Sequence, residues 1–117
     1  MKKRSFKPGT MLNPVPVVMV SCGDVNHGNI ITVAWTGIVN SDPPMTYVSI
    51  RKERYSHEII KNAGDFVINL TTEELTFATD YCGVKSGRDT DKFKDMKLTP
   101  LKSKKVRCPG IEESPVN

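Results

Sequence analysis

The chain has 117 residues, a formal net charge of +4, 38% hydrophobic and 26% charged residues, which suits a single domain over residues 1–117 with one core. The positive charge gathers at Lys2, Lys3, Arg4 and Lys7 and again at Lys102, Lys104, Lys105 and Arg107, with no interleaved aromatic residues and no reading helix, which argues against nucleic acid. No apolar run reaches membrane-spanning length or forms a signal peptide, and Cys22, Cys82 and Cys108 are odd in number and lack C-x-x-C spacing, so a cytoplasmic chain without disulfides, zinc or a membrane partner is expected.

Residues 15–22 are short, rich in β-branched side chains and bounded by Pro14, Pro16 and Gly23, which predicts a first strand. Turn residues follow at 24–28, and residues 29–35 resume β-branched character, so the two segments read as a hairpin. Ser41, Asp42, Pro43 and Pro44 break the chain. Residues 45–51 are then the clearest strand, with Thr46, Val48 and Ile50 alternating against Met45, Tyr47, Ser49 and Arg51.

Ser56 is placed to cap a short helix that buries Ile59, Ile60 and Ala63 and stops at Gly64. Residues 66–70 read as a strand. The sequence Thr71, Thr72, Glu73, Glu74 fits a capping box, and Leu75, Ala78 and Cys82 recur at helical spacing before Gly83, giving a second helix. Residues 84–93 read as an exposed loop or one helical turn, and 98–106 as at most one weak strand. The order predicts a mainly β fold with short helices, its sheet mostly antiparallel and barrel-like.

The candidate site lies between Asn29 and His57. Ser49 and Arg51 share a strand face, and Lys52, Arg54, Ser56 and His57 crowd a turn that enters a helix, where free backbone N–H groups and a partial positive charge favour anions. On these residues alone, an anion site and a set of surface pairs with Glu53 and Glu58 stand level. Thr32, Ala34 and Thr36 share one strand face and are small enough to admit a flat ligand or to pack beneath a helix. Trp35 fits core or subunit interface.

Neither His27 nor His57 belongs to a metal-ligand cluster, no catalytic triad can be assembled, and neither a phosphate loop nor a dinucleotide fingerprint occurs. Cys22 and Cys82 fit buried structural thiols better than a redox pair.

The ordered set NIITVAW (29–35), NSDPP (40–44), VSIRKERYS (48–56), DFVINL (65–70), DYCGVKSG (80–87) and DKF (91–93) closely resembles the flavin-reductase-like, FMN-binding split-barrel family, which includes flavoredoxin-type proteins. The resemblance implies a homodimer of split β-barrels that binds FMN near the subunit interface. It places Thr32, Val33, Ala34, Trp35 and Thr36 along the flavin ring and Ser49, Arg51, Lys52 and Ser56 on the ribityl phosphate. Ser86, Gly87 and Lys92 would close over the cofactor, and no catalytic acid, base or metal is required of the protein.

The expected activity is that of an FMN-dependent oxidoreductase taking electrons from reduced nicotinamide or a redox protein. The alternative is a flavin-binding electron carrier or storage module without turnover. The chain stops at Ser114, Pro115, Val116 and Asn117, where the family's next strand is expected, so the resemblance also implies a barrel lacking its C-terminal strands. A fragment that has lost flavin binding is the third reading.

Overall fold

The computed structural model describes all 117 residues. Its centre is β1 (Val18–Gly23), flanked on both sides by antiparallel partners, β2 (Gly28–Val33) and β5 (Val67–Leu70). A strand paired on both edges and covered on both faces is predominantly apolar, and Val18, Met19, Val20 and Cys22 are buried together with Ser21, whose hydroxyl donates to the Pro109 carbonyl. Alternate side chains feed two cores. Met19 joins Ile30, Leu75, Ala78, Cys82, Phe93, Leu98 and Ile111 on one face, while Val18 and Val20 join Ile31 and Val33 on the other. Complete burial of Met19, Ile30 and Ile111 contributes roughly 1.5–3 kcal/mol per side chain.

The β1–β2 turn is made by Asp24, whose Oδ1 accepts from the backbone N–H groups of Asn26 and His27 at 2.8 and 2.9 Å. Gly23 enters it at φ +90°, where an added Cβ would lie 2.4 Å from the His27 carbonyl oxygen, so no other residue fits.

The second hairpin pairs β3 (Thr36–Ser41) with β4 (Pro44–Val48) and carries a register shift between Ile38 and Asn40. Here the sequence expectation needs correcting. Residues 34–35 do not extend β2; the chain leaves the sheet after Val33 and enters a separate strand. β4 likewise ends at Val48, although the Ser49 N–H still donates to the Trp35 carbonyl at 2.8 Å, and residues 51–54 then turn into α1. The ribbon stands off the core, leaving Ile38 83% and Val39 59% exposed.

α1 (Tyr55–Ala63) begins one residue before the expected cap. Arg54 occupies the N-cap position and Ser56 lies inside the helix, fully buried. Gly64 ends it at φ +76°, donating to the Ile60 carbonyl as expected. α2 (Thr76–Val84) starts later than the Thr71–Glu74 capping box predicts, because Leu75 and Thr76 donate to the Thr72 and Glu73 carbonyls in a tighter turn. Gly83 does not stop α2 but sits within it. A Cβ there would lie 3.2 Å from the Thr32 Cβ, so the glycine lets α2 settle onto β2.

α3 (Lys92–Asp95) is the single turn expected near the end of the 84–93 loop, capped by the Asp91 side chain on the Lys94 N–H. β6 (Pro100–Leu101) pairs with β7 (Gly110–Ile111), a strand the sequence pattern did not suggest. Near the C-terminus, the Val116 carbonyl accepts from the Leu70 N–H on the outer edge of β5 at 2.9 Å. All strand pairs are antiparallel, and no helix is long and apolar enough to cross a membrane.

Candidate functional site

Two adjoining cavities lie where β2, the entry to α1 and the loop after α2 converge. The first, of about 300 Å³, is walled by Asn29 and Ile31 of β2, by residues 53–56 and by residues 84–88 with Lys92. Its charge is strongly one-sided: Arg54, Lys85, Arg88 and Lys92 face it against Glu53 alone. It also receives the first turn of α1, where Tyr55 and Ser56 have backbone N–H groups with no partner in the helix. Arg88 packs over the Tyr55 ring, its Cζ 5.3 Å from the centroid, and donates to the Glu53 carbonyl at 3.4 Å.

The loop at 85–88 approaches closely because residue 87 is glycine. A Cβ there would lie 2.2 Å from Asn29 Oδ1 and 2.7 Å from Tyr55 Cδ1. Beneath it, Asn29 Nδ2 donates to Ser56 Oγ at 2.8 Å, joining the start of β2 to α1.

The second cavity, of about 230 Å³, is a slot of different character. Ile31, Val33, Ala34, Trp35 and Ile50 give it apolar and aromatic walls, and Ser49, Arg51 and Arg54 supply the polar groups. The Arg51 guanidinium lies over Trp35, 5.4 Å from the ring centroid. Ile31 and Arg54 belong to both cavities, so the slot and the basic cradle are neighbouring parts of one depression.

Of the residues singled out in the sequence, Thr32, Val33, Ala34, Trp35, Ser49 and Arg51 line the slot, and Ser56, Ser86, Gly87 and Lys92 line the cradle. Thr36 and Lys52 lie outside both. Thr36 opens the β3–β4 ribbon and its hydroxyl donates to the Tyr47 carbonyl at 2.7 Å, while Lys52 is exposed on the turn before α1. The Thr32 hydroxyl is turned to the Thr79 carbonyl on α2. Lys92 is buried, and its ammonium donates to the Ile30 and Cys82 carbonyls at 2.7 and 2.8 Å, tying α3 to β2 and α2.

Sequence reasoning assigned no site role to Asn29, Lys85 or Arg88, and left Arg54 between an anion ligand and a surface ion pair. Arg54 makes no ion pair; it donates Nη2 to the Gly83 carbonyl at 2.7 Å, at the C-terminal end of α2. Its position directly before a helix start was the available signal. The approach of residues 85–88 to Asn29 is a tertiary contact with no local pattern.

The three cysteines are free and buried. Burial raises all three thiols: Cys22, with Ser56 and Lys92 pulling it partly back, Cys82 to about 11 and Cys108 to about 12. Burial lowers Lys92, with Cys82 opposing that shift. In the unfolded chain the thiols ionise near 9.0, so above that pH the folded state retains protons that the unfolded state has lost. Their contribution to stability is full below pH 9.0 and is lost as pH climbs through the folded values near 11 and 12. Lys92 runs the opposite way, its burial penalty easing as pH rises toward 10.5, but one lysine opposes three thiols. The expected result is a urea midpoint that is flat from about pH 7 to 8.5 and lower at about pH 10.5. A midpoint that rises over that interval contradicts this assignment.

The fold and the paired cavities define the class as a flavin-reductase-like split barrel. The Flavin reductase like domain family matches residues 10–117, and the chain belongs to it. Flavoredoxin of Desulfovibrio vulgaris (Miyazaki F) superposes with a TM-score of 0.89 at 34% identity, covering 96% of this chain and 62% of that one. Flavoredoxin from Methanosarcina acetivorans gives a TM-score of 0.85 at 27% identity, over 97% of this chain and 60% of that one. An uncharacterized protein of Pyrococcus abyssi (strain GE5 / Orsay) is 32% identical over 107 residues, 92% of this chain and 61% of the relative. The chain thus spans about three fifths of the length of the relatives it matches.

Proposed function

We propose that this chain is a single-domain FMN-binding oxidoreductase of flavin-reductase or flavoredoxin type, passing electrons from reduced nicotinamide or a protein donor to an acceptor. The observation that carries the reading is the junction at Ile31 and Arg54 of an aromatic slot and a basic cradle. A flat ring system fits walls made by Ala34, Trp35 and Ile50. A phosphate dianion fits Arg54, Arg88, Lys85 and the free N–H groups at the start of α1. The glycine at 87, which lets the loop close against Asn29 and Tyr55, adds a cradle that a side chain would fill. Two solved relatives are flavoredoxins, which favours a flavin over other phosphorylated aromatics.

Bound FMN supplies the electron chemistry. This chain's residues bind and orient it: Ile31 to Trp35 on the ring side, Ser56 and Arg54 on the phosphate side, with residues 86–88 excluding water from one wall. The proposal includes a homodimer in a reducing cytoplasm. It is supported by the exposed apolar ribbon, where Ile38, Val39, Met45 and Tyr47 lack a covering layer, and by three free thiols.

The test is the visible absorption spectrum of the purified protein after saturation with FMN and desalting. Retained flavin bands are expected, and their complete loss would sink the reading. Oxidation of reduced nicotinamide faster than by the same concentration of free FMN separates the oxidoreductase from a carrier or storage module.

A further inference from the structure

Asn29 bounds the candidate stretch read from the sequence without a role of its own, yet it is the residue on which three walls of the basic cradle meet. It begins the core-facing part of β2, donates Nδ2 to Ser56 Oγ in the first turn of α1, and has Gly87 of the later loop seated against its Oδ1. Both partners in the hydrogen bond are buried, Asn29 to 5% exposure and Ser56 to 1%. A serine oxygen that accepts from an amide has its own proton left to give. No protein oxygen takes that proton; besides the bond from Asn29, Ser56 Oγ meets only the Cys22 sulfur. That thiol is a weak acceptor whose own proton is directed to the Asn29 carbonyl. The remaining direction is into the cradle that Ser56 lines.

We infer that Asn29 is a positioning residue that holds the Ser56 hydroxyl as a donor to the anionic end of the ligand. This rests on the FMN reading above. Asn29 itself touches neither ring nor electrons; it fixes which way the hydroxyl points and keeps residues 85–88 seated over it. A donor prepared in this way favours the phosphate-bearing flavin over its unphosphorylated analogue. Riboflavin has the same ring and no phosphate, which makes it the natural probe.

The experiment measures dissociation constants for FMN and riboflavin on wild type, Asn29→Asp, Asn29→Ala, Ser56→Ala and the Asn29→Ala/Ser56→Ala double variant. The aspartate is nearly isosteric but can only accept, so Ser56 turns its proton to residue 29 and a negative charge faces the cradle. FMN affinity is expected to fall about 100-fold or more in Asn29→Asp, with riboflavin changed by less than about threefold. Asn29→Ala and Ser56→Ala should each lower FMN affinity by roughly tenfold, and the double variant should be little worse than either, because one acts through the other.

Should the aspartate variant fail to fold, Asn29→Ser takes its place. It is too short to reach Ser56, and its loss should again be selective for FMN. Additive losses in the double variant, or equal losses of FMN and riboflavin, would overturn the assignment of Asn29 while leaving FMN binding intact. A wild-type protein that binds neither flavin would overturn the FMN reading itself and this inference with it.

Discussion

Replacing Arg54 with alanine is expected to weaken FMN binding roughly 10- to 150-fold while leaving riboflavin within a few-fold of wild type. The magnitude follows from a charge-assisted hydrogen bond of about 1.5–3 kcal/mol, placed in a cavity where Arg54 is both part of the cradle and part of the slot. The guanidinium is already held by the Gly83 carbonyl at 2.7 Å, so little side-chain freedom remains to be lost when an anion arrives. Arg54→Lys should recover only part of the loss, because an ammonium cannot hold the Gly83 carbonyl and offer a fork of donors to the ligand together. Isothermal titration of wild type and the two variants, each with FMN and with riboflavin, reads both effects. Equal weakening of FMN and riboflavin by Arg54→Ala would move the phosphate away from this arginine.

That experiment also separates what local sequence could say from what only the fold could. The elements with strong local causes were legible: the β-branched run at β1, the alternation around β4, and Gly64 closing α1 in a left-handed conformation. Boundaries failed where a tertiary contact overrode a local signal. Gly83 looks like a helix stop, but α2 continues through it because β2 needs a close approach at Thr32. Ser56 looks like a cap, but its hydroxyl is buried against Asn29 and the helix begins before it. The split of residues 29–41 into two strands had no breaker to mark it, since a lone Ala34 beside Trp35 is too weak a signal to interrupt a β-branched run.

The site divides along the same line. Resemblance divided Ala34 and Trp35, on the ring, from Ser49 and Arg51, on the phosphate, whereas pairing of the two hairpins brings all four into one slot. The cradle joins residues 29, 54 and 87, brought together by packing of α2 on the sheet. Lys92 was legible as a site residue only through resemblance, and its geometry gives it a further duty, binding α3 to the Ile30 and Cys82 carbonyls.

The largest effect on stability is expected at Asn69. It is fully buried on β5, and its side-chain amide bonds in every direction available to it. The two Nδ2 hydrogens are shared among the Met19 carbonyl at 2.9 Å, Ser21 Oγ at 3.0 Å and the Val67 carbonyl at 3.2 Å. Oδ1 accepts from the Ile111 N–H and from Asn117 Nδ2, each at 2.9 Å. One amide therefore ties β1 to β7 and to the last residue of the chain. Asn69→Leu keeps the volume but strands the buried Ile111 N–H without its acceptor and removes the amide donor from the Met19 and Val67 carbonyls, while the exposed Asn117 amide keeps its bond to the Ile111 carbonyl. Each group left unpaired costs about 1–3 kcal/mol, so a loss of about 3 kcal/mol or more is expected, equivalent to a fall in Tm of roughly 10 °C or more.

Asn69→Asp separates the two halves of the network. It keeps the acceptor for Ile111 but turns the other oxygen toward the Met19 and Val67 carbonyls, where like partial charges repel, and should be at least as destabilising as the leucine. Amide hydrogen exchange locates the damage. Faster exchange confined first to residues 109–117 is expected for Asn69→Leu, because β7 holds only two residues and has β6 as its ladder partner. A leucine variant within about 1 kcal/mol of wild type, or one whose exchange rises uniformly across β1 and β2, would show that the C-terminal segment is held by the apolar packing of Ile111 and not by this amide.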